Sequence, residues 1–111
     1  MKHEILEGNG VRINLGTHEI VCDGIPVDLT SIEFGILECL VRSAGRMVSR
    51  DELARFLSDR QVNPFEGSLD VHMNQLRRKL ERGRRLIQAV PGAGYLFARE
   101  DEHSASEYQL A

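Results

Sequence analysis

Several features are scarce in this chain of 111 residues, which has no tryptophan, two cysteines and 5% aromatic residues. Cys22 and Cys39 lie in apolar stretches without the spacing of a zinc site, so we predict that they are buried free thiols. A chain of this size can form a core without a metal or a disulfide. We expect no cofactor and no metal, because the histidines show no ligand pattern and are scattered at His3, His18, His72 and His103.

Long apolar runs are also missing, since no stretch approaches the roughly 20 residues that span a membrane. The residues Met1 to Glu4 do not resemble a signal peptide. We therefore predict a cytoplasmic domain at 1–99 with no membrane contact, and an acidic, flexible tail at 100–111. No catalytic residues are predicted, because the sequence lacks a Ser/His/Asp ordering, a phosphate-binding glycine loop and a pair of carboxylates in a plausible pocket.

An overall excess of positive charge is absent as well, because the formal net charge is -3. The average hides a local concentration of basic residues between His72 and Arg85, where Glu81 is the single acid. Six of the fourteen Lys and Arg residues lie in this window, namely Arg77, Arg78, Lys79, Arg82, Arg84 and Arg85. A polyanion would respond to this local cluster, since charges beyond about 10 Å are screened.

The basic cluster belongs to a predicted amphipathic helix over 63–85. At 100° per residue, an apolar stripe is formed by Leu69, Met73, Leu76 and Leu80. The opposite side carries Gly67, Val71, Asn74, Gln75, Arg78 and Arg82. One interpretation is a solubilising face with cations that complement the helix dipole. That interpretation leaves the two amides unexplained, whereas Asn and Gln pair bidentately with adenine in a major groove. The pattern therefore favours a DNA-recognition helix.

The segments on either side of this helix predict a winged helix-turn-helix of the α+β class. Residues 4–29 read as a four-stranded antiparallel sheet with tight turns at Asn9-Gly10 and Asp23-Gly24, and Pro26 suits an edge strand. Three capping boxes predict three helix starts, at Thr30 with Glu33, Ser49 with Glu52, and Asn63 with Glu66. The first helix ends at Gly45 and the second near Ser58, and Met47 and Val48 form an extended link. Residues 86–97 form a C-terminal β-hairpin wing.

These residues resemble a known family, the C-terminal effector domains of OmpR/PhoB-type response regulators. The matching residues are Leu29-Thr30 with Glu33-Phe34, Gly45 with Val48-Ser49-Arg50 and Leu53, Leu69-Asp70-Val71-His72 with Leu76-Arg77-Arg78-Lys79-Leu80, and Gly92 with Gly94-Tyr95 and Phe97. The runs Asp23-Gly24, Pro26 to Thr30 and Asn63-Pro64-Phe65 look closest to the CpxR-like branch. The resemblance covers nearly all of residues 11–98.

The resemblance implies a transcription-regulating output domain of a two-component system. The third helix, from about Glu66 to Arg82, would enter the major groove of double-stranded DNA, and the hairpin from Pro91 to Tyr95 would approach the minor groove. Family members bind direct repeats as head-to-tail dimers, and we expect a monomer when the domain is isolated. The loop at 58–63, including Asp59, Arg60 and Gln61, would contact RNA polymerase. A receiver domain and a cognate histidine kinase are expected in a full-length protein, so the chain is an excised effector domain or a stand-alone relative.

Each predicted contact has a structural alternative. Base reading is predicted for Val71, Asn74, Gln75 and Arg78, although Val71 is alternatively a partly buried helix residue. Phosphate contacts are predicted for Ser49, Arg50, Ser68, Arg77, Lys79 and Arg82. Alternatively, Ser49 is only a helix cap, and Arg77 forms an internal salt bridge, with Asp70 as the candidate partner.

The predicted wing consists of Gly92, Ala93, Gly94 and Tyr95. Both glycines are most simply turn formers, and Tyr95 is a core ring unless its hydroxyl reaches the DNA backbone. Relatives often carry Arg or another polar residue at the positions of Gly67, Pro91 and Ala93, so we expect a wing that contributes little affinity. The bare wing and the overall acidity support an alternative function, a winged helix for protein contact without DNA binding.

Overall fold

The computed structural model describes residues 4–62 and 69–99, and the elements follow the predicted order. The strands are β1 (Ile5–Gly8), β2 (Val11–Asn14), β3 (Glu19–Cys22), β4 (Ile25–Val27), β5 (Met47–Ser49), β6 (Ile87–Val90) and β7 (Gly94–Phe97). The helices are α1 (Ser31–Arg42), α2 (Arg50–Asp59) and α3 (Leu69–Leu80). The predicted α+β winged-helix architecture is confirmed. The expected tail at 100–111 and the capping box at Asn63 and Glu66 lie outside the described residues.

The four N-terminal strands form an antiparallel sheet in the order β1-β2-β3-β4. The turn residues Asn9 and Asp23 have φ of 49° and 51°, the left-handed conformation that tight Asn-Gly and Asp-Gly turns require. Pro26 lies in the edge strand β4, as predicted, where a missing N–H disrupts no ladder. One face of the sheet enters the core through Val11, Ile13, Ile20 and Cys22.

Helix α1 is the centre of the core, since every residue from 33 to 41 is buried. The predicted capping box at its start is confirmed, because Thr30 Oγ1 accepts from Glu33 N at 3.2 Å and Glu33 Oε1 accepts from Thr30 N at 3.0 Å. Both cysteines are buried and free, as predicted. Burial raises the pKa of the Cys39 thiol to about 11, so the thiol stays protonated at neutral pH.

The buried carboxylate of Glu38 joins α1 to the end of α2. Its Oε2 lies 3.0 Å from Arg42 Nε and 2.8 Å from Arg60 Nη2, and Arg42 also reaches Glu4 at 3.1 Å. Burial by itself would raise the pKa of Glu38, but the hydrogen bonds from Arg60 and Arg42 together hold that pKa below its ordinary value. The charged form of Glu38 therefore stabilises the fold.

Helix α2 begins as predicted, with Ser49 Oγ accepting from Glu52 N at 3.0 Å. The carboxylate of Glu52 does not complete a capping box. It pairs instead with Arg46 at 2.7 Å, because that guanidinium stands just before β5 and offers a stronger, charge-assisted bond.

The predicted hairpin of β6 and β7 is present. A third strand, β5, joins the same sheet, whose order is β5-β7-β6. The segment predicted as an extended link pairs with β7, with Val48 opposite Tyr95 and Ser49 opposite Gly94. Gly94 allows this approach, since a Cβ at that position would overlap the Val48 carbonyl oxygen and lie 2.8 Å from Ser49 Cα. The sequence interpretation of Gly94 as a turn former was wrong, whereas Gly92 has a φ of 75° and does form the turn.

Helix α3 ends earlier than predicted, at Leu80 instead of Arg85. The carboxylate of Glu81 accepts hydrogen bonds from the backbone N–H groups of Leu86 and Ile87, at 2.7 and 2.6 Å. These bonds fold the chain back into β6, and Gly83 supplies the left-handed residue in the turn, with φ of 94°. The last basic residues of the cluster therefore follow the helix instead of continuing it.

We predict that Gly94→Ala destabilises the domain by about 2–4 kcal/mol, because the new methyl group displaces β5 from β7. Gly92→Ala is the matched control, since its Cβ would meet no atom within 4 Å and the cost is a left-handed alanine, about 1 kcal/mol. Urea unfolding of both variants measures the difference. Equal losses would show that the close approach of the strands is unimportant.

We also predict a pH-dependent stability that involves Glu38. Its pKa is lower in the folded state than in the unfolded chain, so its stabilisation is complete above the unfolded pKa, near pH 4.5, and is lost as pH falls through the folded pKa. Glu38→Gln should cost about 1–2 kcal/mol at pH 7 and show a shallower decline below pH 4.5 than the native chain. Parallel pH profiles of the two proteins would contradict the assignment.

Candidate nucleic-acid interface

The outward side of α3 is open to solvent. Asn74 and Arg78 are exposed and Gln75 is half-buried. Val71 is 49% exposed, so it is partly buried, as its structural alternative expected, and still accessible to a ligand. The opposite side is sealed into the core by Met73, Leu76 and Leu80. Helical geometry thus brings all four predicted base-reading side chains to one accessible face.

Arg78 on this face and Arg82 just beyond it have no carboxylate partner among the residues that the structure describes. Within residues 4–62 and 69–99, neither Arg78 nor Arg82 forms an ion pair. Arg78 lies on α3 itself, whereas Arg82 follows the end of the helix in the turn toward β6. Their charges are therefore available to an anion.

Arg77 is in a different environment from these two residues. Its Nε lies 3.3 Å from Glu81 Oε1, and the two side chains are only 24% and 13% exposed. An internal salt bridge was one of the two interpretations of Arg77. The expected partner was wrong, however, because Asp70 is engaged by Arg50 and Tyr95.

Lys79 is directed toward the core. Its Nζ lies 2.7 Å from Glu33 Oε1, and the Glu33 side chain is fully buried. Glu33 Oε2 has no hydrogen-bond partner among the described residues, so Lys79 supplies the main compensation for this charge. A phosphate contact by Lys79, as the sequence predicted, would have to compete with this pair. No local sequence pattern indicates this pair, because the two residues lie 46 positions apart.

The start of α2 adds Ser49 and Arg50 near α3. Ser49 caps α2, and Arg50 Nη2 lies 2.8 Å from Asp70 Oδ1. Tyr95 is buried, and its hydroxyl donates to the same carboxylate oxygen. The predicted phosphate ligand Ser68 lies outside the described residues.

The hairpin tip between β6 and β7 is small and uncharged. It consists of Pro91, Gly92 and Ala93, and Ala93 N donates to Val90 O at 3.0 Å. Gly92 is exposed at the tip, whereas Gly94 and Tyr95 are buried against β5 and α3. The exposed part of the wing therefore offers backbone groups and apolar carbon to a ligand, with no cation.

The predicted polymerase-contact residues Asp59, Arg60 and Gln61 are all exposed. Arg60 forms an ion pair with Glu38, and its guanidinium carbon lies 4.6 Å from the centre of the Phe56 ring. Gln61 has a φ of 58°. The structure thus presents this short segment in a fixed conformation at the end of α2.

Arg84 forms a connection that the sequence reasoning missed. Its guanidinium bonds Asp23 Oδ1 at 2.9 Å and Asn9 Oδ1 at 2.8 Å, and it also bonds the Asn9 carbonyl. Both partners belong to the tight turns of the N-terminal sheet. The chain segment after α3 is thereby fixed to that sheet, and Arg84 does not extend the open basic face.

Other kinds of site have little support in the described ranges. No three His, Cys, Asp or Glu side chains gather there in a way that could hold a metal ion. None of the helices described is long and apolar enough to cross a membrane. A cavity of about 740 Å³ opens between the N-terminal sheet and α1 and is lined in part by His18, Phe34 and Arg60.

Three helices, with the third exposing a polar face beside a β-hairpin, define a winged helix-turn-helix domain. The chain belongs to the family of transcriptional regulatory protein C-terminal domains, the OmpR/PhoB-type effector domains, whose family model matches residues 24–97. The predicted likeness to the CpxR-like branch is also confirmed. The transcriptional regulatory protein CpxR of Klebsiella pneumoniae subsp. pneumoniae (strain HS11286) is 36% identical over 95 residues.

Solved structures show the same relationship. The DNA-binding domain of CpxR from E. coli matches with a TM-score of 0.70 and 32% identity, covering 86% of this chain and 97% of that one. The DNA-binding domain of Klebsiella pneumoniae RstA, solved in complex with the RstA box, matches with a TM-score of 0.71 and 29% identity, covering 86% and 98%. The match to the Klebsiella CpxR covers 83% of this chain but only 41% of the length of that protein.

We predict that Lys79→Met lowers the free energy of unfolding by about 1–3 kcal/mol, because it leaves the buried Glu33 carboxylate without its cation. Arg78→Met is the matched control, an exposed cation on the same helix, and should change stability by less than about 0.5 kcal/mol. Thermal or urea unfolding at neutral pH compares them. If Lys79→Met leaves the free energy of unfolding unchanged, the pair does not stabilise the fold.

Proposed function

We propose that this domain binds double-stranded DNA sequence-specifically, as the transcription-regulating output domain of a two-component response regulator. In this proposal α3 enters the major groove and the hairpin between β6 and β7 lies near the minor groove. One observation carries the proposal: Val71, Asn74, Gln75 and Arg78 share an open face, while the opposite face of the same helix is sealed into the core.

The chemistry of this face suits the edges of bases. The amides of Asn74 and Gln75 can each donate and accept toward adenine, and Arg78 can donate twice to guanine. The exposed methyl groups of Val71 suit contact with a thymine methyl. Relatives support the comparison, since the RstA domain was solved bound to its DNA box.

Phosphate contacts would position the helix without reading sequence. Arg82 is the strongest candidate, because it is exposed and has no carboxylate partner in the ranges that the structure describes. Ser49 and Arg50 are placed at the N-terminus of α2, where backbone N–H groups also favour an anion. Ser68, Arg77 and Lys79 complete the proposed set. Arg50, Arg77 and Lys79 would each have to exchange a carboxylate for a phosphate.

The proposed biological setting follows the family. A full-length protein would be cytoplasmic and would carry a receiver domain addressed by a cognate histidine kinase. Two domains would bind a direct-repeat operator head to tail, and an isolated domain would be monomeric. The exposed segment Asp59, Arg60 and Gln61 would contact RNA polymerase.

The test begins with selection of binding sites from a random DNA pool, followed by titration of the native domain at several salt concentrations. We expect log affinity to fall with log salt by about 0.9 for each phosphate neutralised. A slope of zero, or no retained DNA at low salt, would favour the protein-contact alternative that the uncharged wing tip left open.

We predict that Asn74→Ala lowers the preference for the selected site over scrambled duplex by roughly 5- to 150-fold, equivalent to about 1–3 kcal/mol for one lost bidentate pair. Arg12→Ala is the control, since Arg12 is an exposed residue of β2 and should leave both affinities unchanged. Fluorescence anisotropy with both duplexes measures the ratio. Equal losses on the two duplexes would refute base reading by Asn74.

A further inference from the structure

The carboxylate of Asp70 is a meeting point of three elements at the start of α3. Arg50, the first residue of α2, places Nη2 2.8 Å from Asp70 Oδ1, and the Tyr95 hydroxyl of β7 donates to the same oxygen. The guanidinium carbon of Arg50 also lies 5.6 Å from the centre of the Tyr95 ring. Arg50 is therefore held from two directions, by an ion pair and by an aromatic ring.

This arrangement is exposed, unlike the pair between Lys79 and Glu33. The side chains of Arg50 and Asp70 are 50% and 52% exposed. Hydrogen bonds from Tyr95 and Arg50 lower the pKa of Asp70, so the carboxylate is charged at neutral pH. Exposed ion pairs stabilise folds only weakly, so the principal effect of this pair is on the charge presented beside α3.

Asp70 also lies close to the proposed base-reading face. It precedes Asn74 by one helical turn, and the two positions are 40° apart on the helix wheel, by the 100° spacing of successive residues. The negative charge of Asp70 therefore lies beside the surface to which the proposed function assigns DNA. It cancels the cation that α2 contributes to the same edge of the domain.

We propose that Asp70 is a positioning residue that withholds Arg50 from DNA phosphates and thereby limits the affinity of the domain for DNA of random sequence. The inference rests on the proposed function and adds a restraint to it. The Tyr95 hydroxyl anchors the carboxylate to the C-terminal sheet, so Asp70 remains in place as a competitor when a phosphate approaches Arg50.

The physical reason is that random-sequence binding depends on charge alone. Each cation that exchanges a counterion for a phosphate adds affinity and steepens the salt dependence. An arginine already neutralised by an internal carboxylate adds little to either quantity. A regulator gains from this restraint, because a genome offers a great excess of random sites that compete with an operator.

The test compares Asp70→Asn with the native domain on a duplex of scrambled sequence. We expect roughly three- to tenfold tighter binding at low salt, and a plot of log affinity against log salt that is steeper by about 0.9. Glu19→Gln is the charge-matched control, because it removes one exposed acid from β3 and should change the slope very little. Melting curves check that each variant is folded.

A double-mutant cycle identifies the cation that is released. On scrambled duplex, Arg50→Gln alone should not make the salt slope shallower by the roughly 0.9 of a lost phosphate contact, because Asp70 keeps Arg50 from making that contact in the native domain. In the Arg50→Gln background, Asp70→Asn should no longer steepen the salt slope. A merely structural role for the pair would change the melting temperature without producing this pattern in the slopes.

The outcomes separate the two proposals. If the native domain binds no duplex even at low salt, the proposed function fails. If the native domain binds but Asp70→Asn leaves the salt slope unchanged, the restraint is refuted and DNA binding stands. A slope that drops by about 0.9 in Arg50→Gln alone, or a gain from Asp70→Asn that persists in the Arg50→Gln background, also refutes the restraint.

Discussion

Two buried carboxylates on α1 fix the orientation of the other helices. Glu38 forms an ion pair with Arg60 at the end of α2, and Glu33 forms one with Lys79 of α3. A buried carboxylate without a cation is costly, so these pairs restrict how α2 and α3 can rotate against α1. With Lys79 drawn inward, the side of α3 that carries Asn74 is left facing solvent. The charge compensation thus acts together with the buried side chains Met73, Leu76 and Leu80, which turn the opposite side of α3 into the core.

Most of the fold was predictable because its signals are local. Tight turns at Asn9 and Asp23, the capping box at Thr30 and the apolar stripe of α3 each depend on residues within a few positions of one another. The order of elements then pointed to a winged helix, and the family relationship agrees with it. The set of residues on the exposed side of α3 was predictable for the same reason, since one helical period determines which residues share a side.

The remaining features depend on partners far apart in sequence. Pairing of β5 with β7 was not predicted, because Met47 to Ser49 is too short to show a strand pattern and the enabling feature is a missing side chain at Gly94. The end of α3 was misplaced because Glu81 bonds the backbone of the following strand, which no periodicity reveals. Basic residues were grouped as one cluster although their acids come from α1, from the turn after β3 and from the residue that follows α3.

The interface predicted from the number of basic residues therefore differs from the interface that remains once their ion pairs with carboxylates are taken into account. Of the charged residues predicted to meet phosphate, Arg50, Arg77 and Lys79 each have a carboxylate partner, whereas Arg82 has none in the ranges that the structure describes. The hairpin tip adds no cation. Electrostatic attraction to DNA is consequently modest in the proposed function, and discrimination rests on hydrogen bonds from the amides of α3. In that proposal, a chain with a net charge of -3 can recognise a polyanion, because Asn74 and Gln75 would read bases without a charge, and the charges that would bind any sequence are largely satisfied within the fold.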